Sequence, residues 1–358
     1  MVGKTIAYTL FFASVLSLVV IGGVATGTLW KNRIVLKVFL AGSLALPLEQ
    51  IKVRFEQDFA SYRPAGSMMT YNVEVQLEPA GSVQCIRKVM DLGEKADVLA
   101  LADYSLIPEM MMPENADWYL KFAKNRMVLA YTNNSMYAGE VAPTNWYQIL
   151  RRPDVRWGFA NPNIDPCGYR ALWAIQLAEL EYNDDEIFED LVEVNSAIAM
   201  TKEEDSYIYI APEDLKPNTE RIVIKDKSVE LIASLQSGGL DYAFEYLSVA
   251  QQHGLRFIQL PESIDLSSEK KEHMRIYGKM KAATLKGNLT AMPIHYGVTV
   301  PKNSPNPELA EKFVEYMIDE FGKRMFEDMG QPPIAPSVVN DLEKLPENLR
   351  QYCSEEAD

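Results

Sequence analysis

Histidine and cysteine are scarce in this chain, with three of each in 358 residues. His253, His273 and His295 are scattered, which argues against a histidine-built metal centre. Cys85, Cys167 and Cys353 are neither a zinc set nor a disulfide framework. Basic blocks are absent too: 35 Lys and Arg stand against 50 Asp and Glu, for a formal net charge of −15. Nucleic acid is therefore not an expected partner, since phosphate backbones need clustered cations. A small anion stays open, because local N–H groups outweigh a screened global field. Catalytic signatures are missing as well. There is no G-x-S-x-G elbow, P-loop or G-x-G-x-x-G fingerprint, and no nucleophile–base pair, so an enzyme is not expected. No solenoid-type repeat is visible.

Hydrophobic residues at 47% and charged residues at 24% are those of a globular protein, and the length suggests about two domains. One uncharged run breaks that pattern, between Lys4 and Lys31. It exceeds a usual signal-peptide core and is long enough, as a helix, to cross about 30 Å of hydrocarbon. Gly22, Gly23, Ala25 and Gly27 could serve a signal peptidase, and the absence of a nearby cysteine excludes a lipid-anchored start. Residues 1–30 are thus read as a signal peptide or an N-terminal membrane anchor, placing the rest at the extracellular face of the membrane.

Beyond this run, strands and helices alternate. Residues 34–40 (IVLKVFL) read as a central parallel strand, followed by a helix whose stripe is Leu44, Leu48, Ile51, Phe55 and Phe59. Residues 73–77 and 97–101 read as further strands. The first of these two leads through Pro79-Ala80-Gly81-Ser82 into a helix over 83–92; after the second, Asp103 is expected to cap a helix. Residues 126–132, 155–160, 221–225, 240–246 and 294–300 are expected strands. Residues 228–236 and 308–326 are expected helices, the latter as one amphipathic rod. The acidic run 179–193 reads as a solvated helix face.

Residues 161–170 (NPNIDPCGYR) organise the whole. Asp165-Pro166 is an N-cap acid before a proline at the first helical position. Ser43, Ser82 and Ser228 stand at comparable strand-to-helix junctions. Helix starts carry unpaired N–H groups and partial positive charge, and a serine hydroxyl adds a donor. Each such residue alone reads most simply as a cap. Four together, two in each half of an α/β chain, suggest a cleft that closes on an anion. An Asp103–Asp165 carboxylate pair of the glycosidase type has nothing else in the sequence to support it.

The motifs VFLAGSL (38–44), EPAGSVQCIRK (78–88), ADYSLIPEMMMP (102–113), NPNIDPCGYR (161–170), DYAFEYLSVA (241–250) and YGVTVPKN (296–303) carry a resemblance. The chain resembles the archaeal tungstate/molybdate-binding proteins, the extracellular solute-binding components of ABC transporters, from about Val35 to Pro336. That resemblance implies an α/β, two-lobe, periplasmic-binding-protein-like (type II) fold with a hinge and the ligand in the interlobe cleft. Residues 31–125 with 301–345 would form the first lobe, 126–300 the second, and 346–358 an acidic tail. It implies oxyanion binding by Gly42, Ser43, Ser82, Asp165, Pro166, Cys167 and Tyr246, with Asp165 directed at the tungsten or molybdenum centre. It implies no cofactor, and a membrane permease as partner. Two positions depart from the family pattern. Leu40 stands where histidine is usual, and Ser228 where a second carboxylate is usual. A site with one carboxylate and a Ser228 hydroxyl bonding an oxo group is expected. A membrane-tethered oxyanion sensor, or a binder of a sulfate-like anion, is the other reading.

Overall fold

The computed structural model describes residues 32–203, 205–285 and 287–356. The expected signal peptide or anchor, residues 1–30, lies outside the described residues. Among the described residues, no helix is long and apolar enough to cross a membrane. The described residues divide into two compact units, one containing residues 32–35 with 54–75 and the other drawn from residues 36–53 with 76–356. In the smaller, Phe55 stacks on Phe59 with ring centroids 4.3 Å apart, and Tyr62 bridges to Tyr71 through backbone hydrogen bonds. Every site residue discussed below belongs to the larger unit.

The described strands, in chain order, begin with β1 (Asn32–Ala41), β2 (Tyr71–Ala80), β3 (Val98–Leu101), β4 (Leu120–Lys124), β5 (Met127–Tyr131) and β6 (Trp157–Ala160). Next come β7 (Ala199–Glu203), β8 (Ser206–Ile210), β9 (Ile222–Lys225), β10 (Tyr242–Tyr246) and β11 (Arg256–Gln259). The last are β12 (Met280–Thr284), β13 (Gly287–Thr290), β14 (His295–Thr299), β15 (Pro333–Val339) and β16 (Cys353–Glu355). Helices that bear on the site are α1 (Ala45–Asp58), α2 (Ser82–Met90), α3 (Leu106–Met110) and α4 (Pro166–Tyr182). Later in the chain come α5 (Glu230–Gln236), α6 (Leu247–Gln252), α7 (Pro307–Ile318) and α8 (Glu320–Asp328).

Three sheets result. One has seven strands in the order β16-β15-β4-β14-β3-β1-β2, another five in the order β11-β5-β10-β6-β9, and a third four in the order β13-β12-β8-β7. β1 and β3 run parallel, as do β10, β6 and β9. Their fully buried runs VLAL, WGFA and YAFEY are what helix-covered parallel strands require. The chain passes from the first sheet to the second between Lys124 and Met127 and returns before β14. The two passages are stitched together by Asn125 N–H to Ile294 O and Met127 N–H to Asp265 O.

The four-stranded sheet was not foreseen, because β7 and its flanks are charged and largely exposed. Its inner residues Tyr209, Met280 and Ala282 are buried, and the Tyr209 hydroxyl reaches Tyr169 O of α4 at 3.4 Å. Covered on this side as well as by the five-stranded sheet, α4 is buried along 166–179 on every face.

Local chemistry corrects four expectations. Residues 308–326 form two helices, not one, because Asp319 leaves helical geometry and its carboxylate accepts Gly322 N–H at 2.7 Å to start α8. The acidic run 179–193 is not one solvated face. α4 ends at Asn183 in the left-handed region, and Glu179 is buried, accepting Phe188 N–H at 2.8 Å. Burial pushes its carboxyl up to about 8. Asp103 does not cap α3; Ser105 holds that position. Finally, the expected acidic tail is structured to Glu356: β16 pairs in parallel with β15, and Glu356 accepts hydrogen bonds from Tyr119 and Lys121.

At Gly168, in the first turn of α4, an added Cβ would lie 2.2 Å from Ala160 O, backbone against backbone. Gly168→Ala is expected to lose about 3 kcal/mol or more, as steric overlap in a core does. Gly139→Ala, with nothing within 4 Å, is expected to change little. Urea unfolding of both variants checks the pair.

Candidate functional site

Strand ends at β1, β2, β6 and β9 each feed a turn into a helix, and these four turns meet. An added Cβ on Gly42 would lie 3.2 Å from the Val229 side chain, and one on Gly81 would lie 2.6 Å from Ile164 O and 3.6 Å from Asp165 Cα. The turns after the seven-stranded sheet therefore abut those after the five-stranded sheet. Ser43, Ser82, Asp165 and Ser228 are all buried there.

Asp165 ties two of the turns together. One carboxylate oxygen accepts Cys167 N–H at 2.9 Å, capping its own helix. The other accepts Ser228 N–H at 3.0 Å, in the turn before α5. Pro166 has no N–H to satisfy, and at N1 it needs none. The expected helix over 228–236 begins at Glu230, so Ser228 and Val229 form the turn that leads into it.

Across the junction, α2 begins without a side-chain cap on Gly81, and the short 3-10 turn Gly42–Leu44 has none either. The two serines at these turns are engaged as acceptors. Ser82 Oγ accepts Ala102 N–H at 3.0 Å, and Ser43 Oγ accepts the Tyr296 hydroxyl at 3.2 Å. Each serine thus keeps its own proton to donate. Donors at uncapped helix starts, plus these two hydroxyl protons, favour a fully deprotonated oxyanion.

The site's permanent positive charge is Arg170, one turn along α4 and almost fully buried. It donates to Ala102 O at 2.6 Å and to the Tyr246 hydroxyl at 2.8 Å, and lies 3.1 Å from an Asp103 carboxylate oxygen. Asp103 also takes the Tyr169 hydroxyl and, on its other oxygen, both Ser105 donors. This leaves Asp103 no place in a carboxylate pair with Asp165. It instead binds α4 to the β3–α3 turn. The Tyr246 hydroxyl, accepting from Arg170, is also left with a proton to donate, and burial holds that proton well above the usual tyrosine range.

Behind the serines, Asn125 Nδ2 donates to the Tyr296 hydroxyl at 2.6 Å and to Ser248 Oγ at 2.7 Å, while Gln331 Nε2 donates to Ser43 O at 2.7 Å. These residues stand where the chain passes between the two sheets. Sequence reasoning missed Arg170, Tyr296, Asn125 and Gln331. Arg170 had a signal: a lone arginine in an otherwise apolar helix must have a buried partner. Cys85 and Cys167 are free thiols, buried, with Sγ directed at Leu40 O and Phe244 O respectively. Desolvation pushes the Cys85 thiol up to about 12 and the Cys167 thiol well above its usual range, so neither is a ready nucleophile.

Residues 36–331 match the family of bacterial extracellular solute-binding proteins. A solute-binding protein from Methanoculleus marisnigri is 50% identical over 310 residues, covering 86% of this chain and 83% of that one. The molybdate/tungstate-binding protein WtpA from Pyrococcus abyssi is 40% identical over 332 residues, covering 92% of each. Among solved structures, the periplasmic molybdate-binding protein of Azotobacter vinelandii superposes with a TM-score of 0.53 at 15% identity, covering 83% of this chain and 98% of that one. The sulfate-binding protein SubI from Mycobacterium tuberculosis H37Rv gives 0.52 at 13% identity, covering 85% and 87%. At such identities these structures speak for the fold alone, the periplasmic-binding-protein type II architecture. The chain belongs to the extracellular solute-binding protein family, whose role is binding and transport.

Because Asp165 satisfies donors at two helix starts, Asp165→Ala is expected to cost about 1–3 kcal/mol even without ligand. Asp165→Asn, which keeps one accepting oxygen, is expected to lose less. Chemical denaturation of the ligand-free variants measures both.

Proposed function

We propose that this protein captures molybdate or tungstate between the four strand-to-helix turns and hands it to an ABC permease at the cell membrane. The observation that carries this is the convergence of Gly42, Ser43, Ser82 and the Asp165–Ser228 pair at one buried place. The similarity to a molybdate/tungstate-binding protein at 40% identity supports the choice of anion. Ser43 and Ser82 donate hydroxyl protons to two anion oxygens, and the first-turn N–H groups beside them complete the first half of the cradle. Tyr246 donates from the other side.

Asp165 is the unusual member, since a carboxylate repels an anion. Each of its oxygens accepts one N–H, which offsets part of the charge, and a carboxylate oxygen has more than one lone pair to offer. A tungsten(VI) or molybdenum(VI) centre is Lewis-acidic enough to take such a lone pair beyond its oxo groups; sulfur in sulfate is not. This is how the site separates metal oxyanions from sulfate. Cys167 contributes through its N–H, which positions Asp165, and Ser228 does the same from the facing turn. In this reading the segment between Lys4 and Lys31 directs export, as cleaved signal or retained anchor, and the first lobe spans 31–125 with 301–345, the second 126–300.

Isothermal titration of the purified protein with molybdate, tungstate, sulfate and phosphate tests the proposal. Tight one-to-one binding of the two metal oxyanions is expected, with sulfate and phosphate weaker by at least about a hundredfold, the difference of one lost charge-assisted contact or more. Equal affinity for sulfate would return the protein to the sulfate-like alternative. Ligand should also raise the melting temperature by mass action.

A further inference from the structure

Glu245 precedes Tyr246 at the end of β10 and is fully buried. Its Oε2 accepts the Tyr246 N–H at 3.1 Å and lies 3.9 Å from Cys167 Sγ. Among the described residues its Oε1 has no partner of hydrogen-bond geometry, and the Ser228 side chain lies close to the carboxyl. Such an atom beside a candidate binding site offers a bonding position to a ligand.

The surroundings define which state of the carboxyl is present. Asp165 and Cys167 face it from the start of α4, Ser228 from the turn before α5, and Val128 is its register partner on β5. The nearby buried cation is committed elsewhere. Arg170 is held by Ala102, Tyr246 and Asp103. Burial, then the negative charge of Asp165, push the Glu245 carboxyl up to about 8. At neutral pH it therefore carries a proton. Oε2 is the oxygen that accepts, so the proton belongs on Oε1, the oxygen without a partner.

We infer that Glu245 is a second carboxyl group of the oxyanion site, a neutral acid that donates its Oε1 proton in a hydrogen bond to the bound anion. The anion and that proton are then held together. This rests on the capture reading above and adds a linked proton to it. Electrostatics favours the arrangement: a second ionised carboxylate in the site would repel both Asp165 and the anion. Within the site, the Cys85, Cys167 and Tyr246 protons are all held far above neutrality, so Glu245 is the group that titrates near pH 8.

The test is calorimetric titration of molybdate into the full chain at several pH values between about 6 and 9.5, each in two buffers of different ionisation enthalpy, for wild type and Glu245→Gln. Molybdate itself is deprotonated throughout this range. Expected for wild type is an affinity flat near pH 6.5 that falls toward tenfold per unit well above pH 8, with close to one proton taken up per anion at pH 9 and none at pH 6.5. Glu245→Gln, whose amide also donates, is expected to bind at pH 6.5 within a fewfold of wild type, to lose the pH dependence and to take up no proton. Wild-type binding without proton uptake at pH 9 overturns the inference, whether or not the variant folds. So does a folded Glu245→Gln that keeps the pH dependence, or one that no longer binds at pH 6.5. Absence of molybdate binding to wild type at every pH defeats the capture reading and this inference together; pH-independent binding defeats this inference alone.

Discussion

The carboxylate of Asp165 is the constraint on which the site depends. It is shared between Cys167 N–H and Ser228 N–H, and so locks the start of α4 to the turn that leads into α5. These two helix starts follow neighbouring parallel strands, β6 and β9, whose register pairs Ala160 with Lys225. The rest is placed relative to that lock. α4 is held by burial on all sides and by Gly168 against Ala160, and it carries Arg170 to the opposite sheet's turns. If Asp165 were only a cap, one oxygen would suffice. The second oxygen makes it a joint between two turns 63 residues apart in the chain.

A net charge of −15 does not set the field at the candidate site, which is local. The donors there are backbone N–H groups at helix starts and hydroxyls whose oxygens already accept a hydrogen bond. Arg170 adds a charge that burial opposes and that Tyr246 and Asp103 nonetheless keep in place; the nearby tyrosines, Tyr169 and Tyr246, are held neutral by burial.

How much of this was legible in the sequence depended on range. The junctions were: Asp165-Pro166 caps and opens a helix as its composition demands, and the strands at 34–40, 155–160 and 240–246 follow from buried β-branched and aromatic runs. The convergence of the four junctions was legible only as a pattern, strengthened by family resemblance. What escaped was set by long-range packing. The four-stranded sheet has polar outer faces and only a few inward residues, so its periodicity is weak. Asp103 and Arg170 lie in different turns far apart along the chain, and nothing local pairs them. Glu245 lies in the expected strand 240–246, and nothing local shows that both faces of that strand are covered. Residues 353–355 looked like a charged tail because the partner that makes them a strand, β15, lies outside their own composition.

Gly81 and Ile164 touch through main chain alone, with no side chain between the facing turns. The gap between the two halves of the site is therefore gauged by peptide groups, which point mutations cannot trim by an atom or two. Any substitution at position 81 can only widen it. The spacing of these two turns is thus a property of the backbone, set by the one position where a side chain has no room.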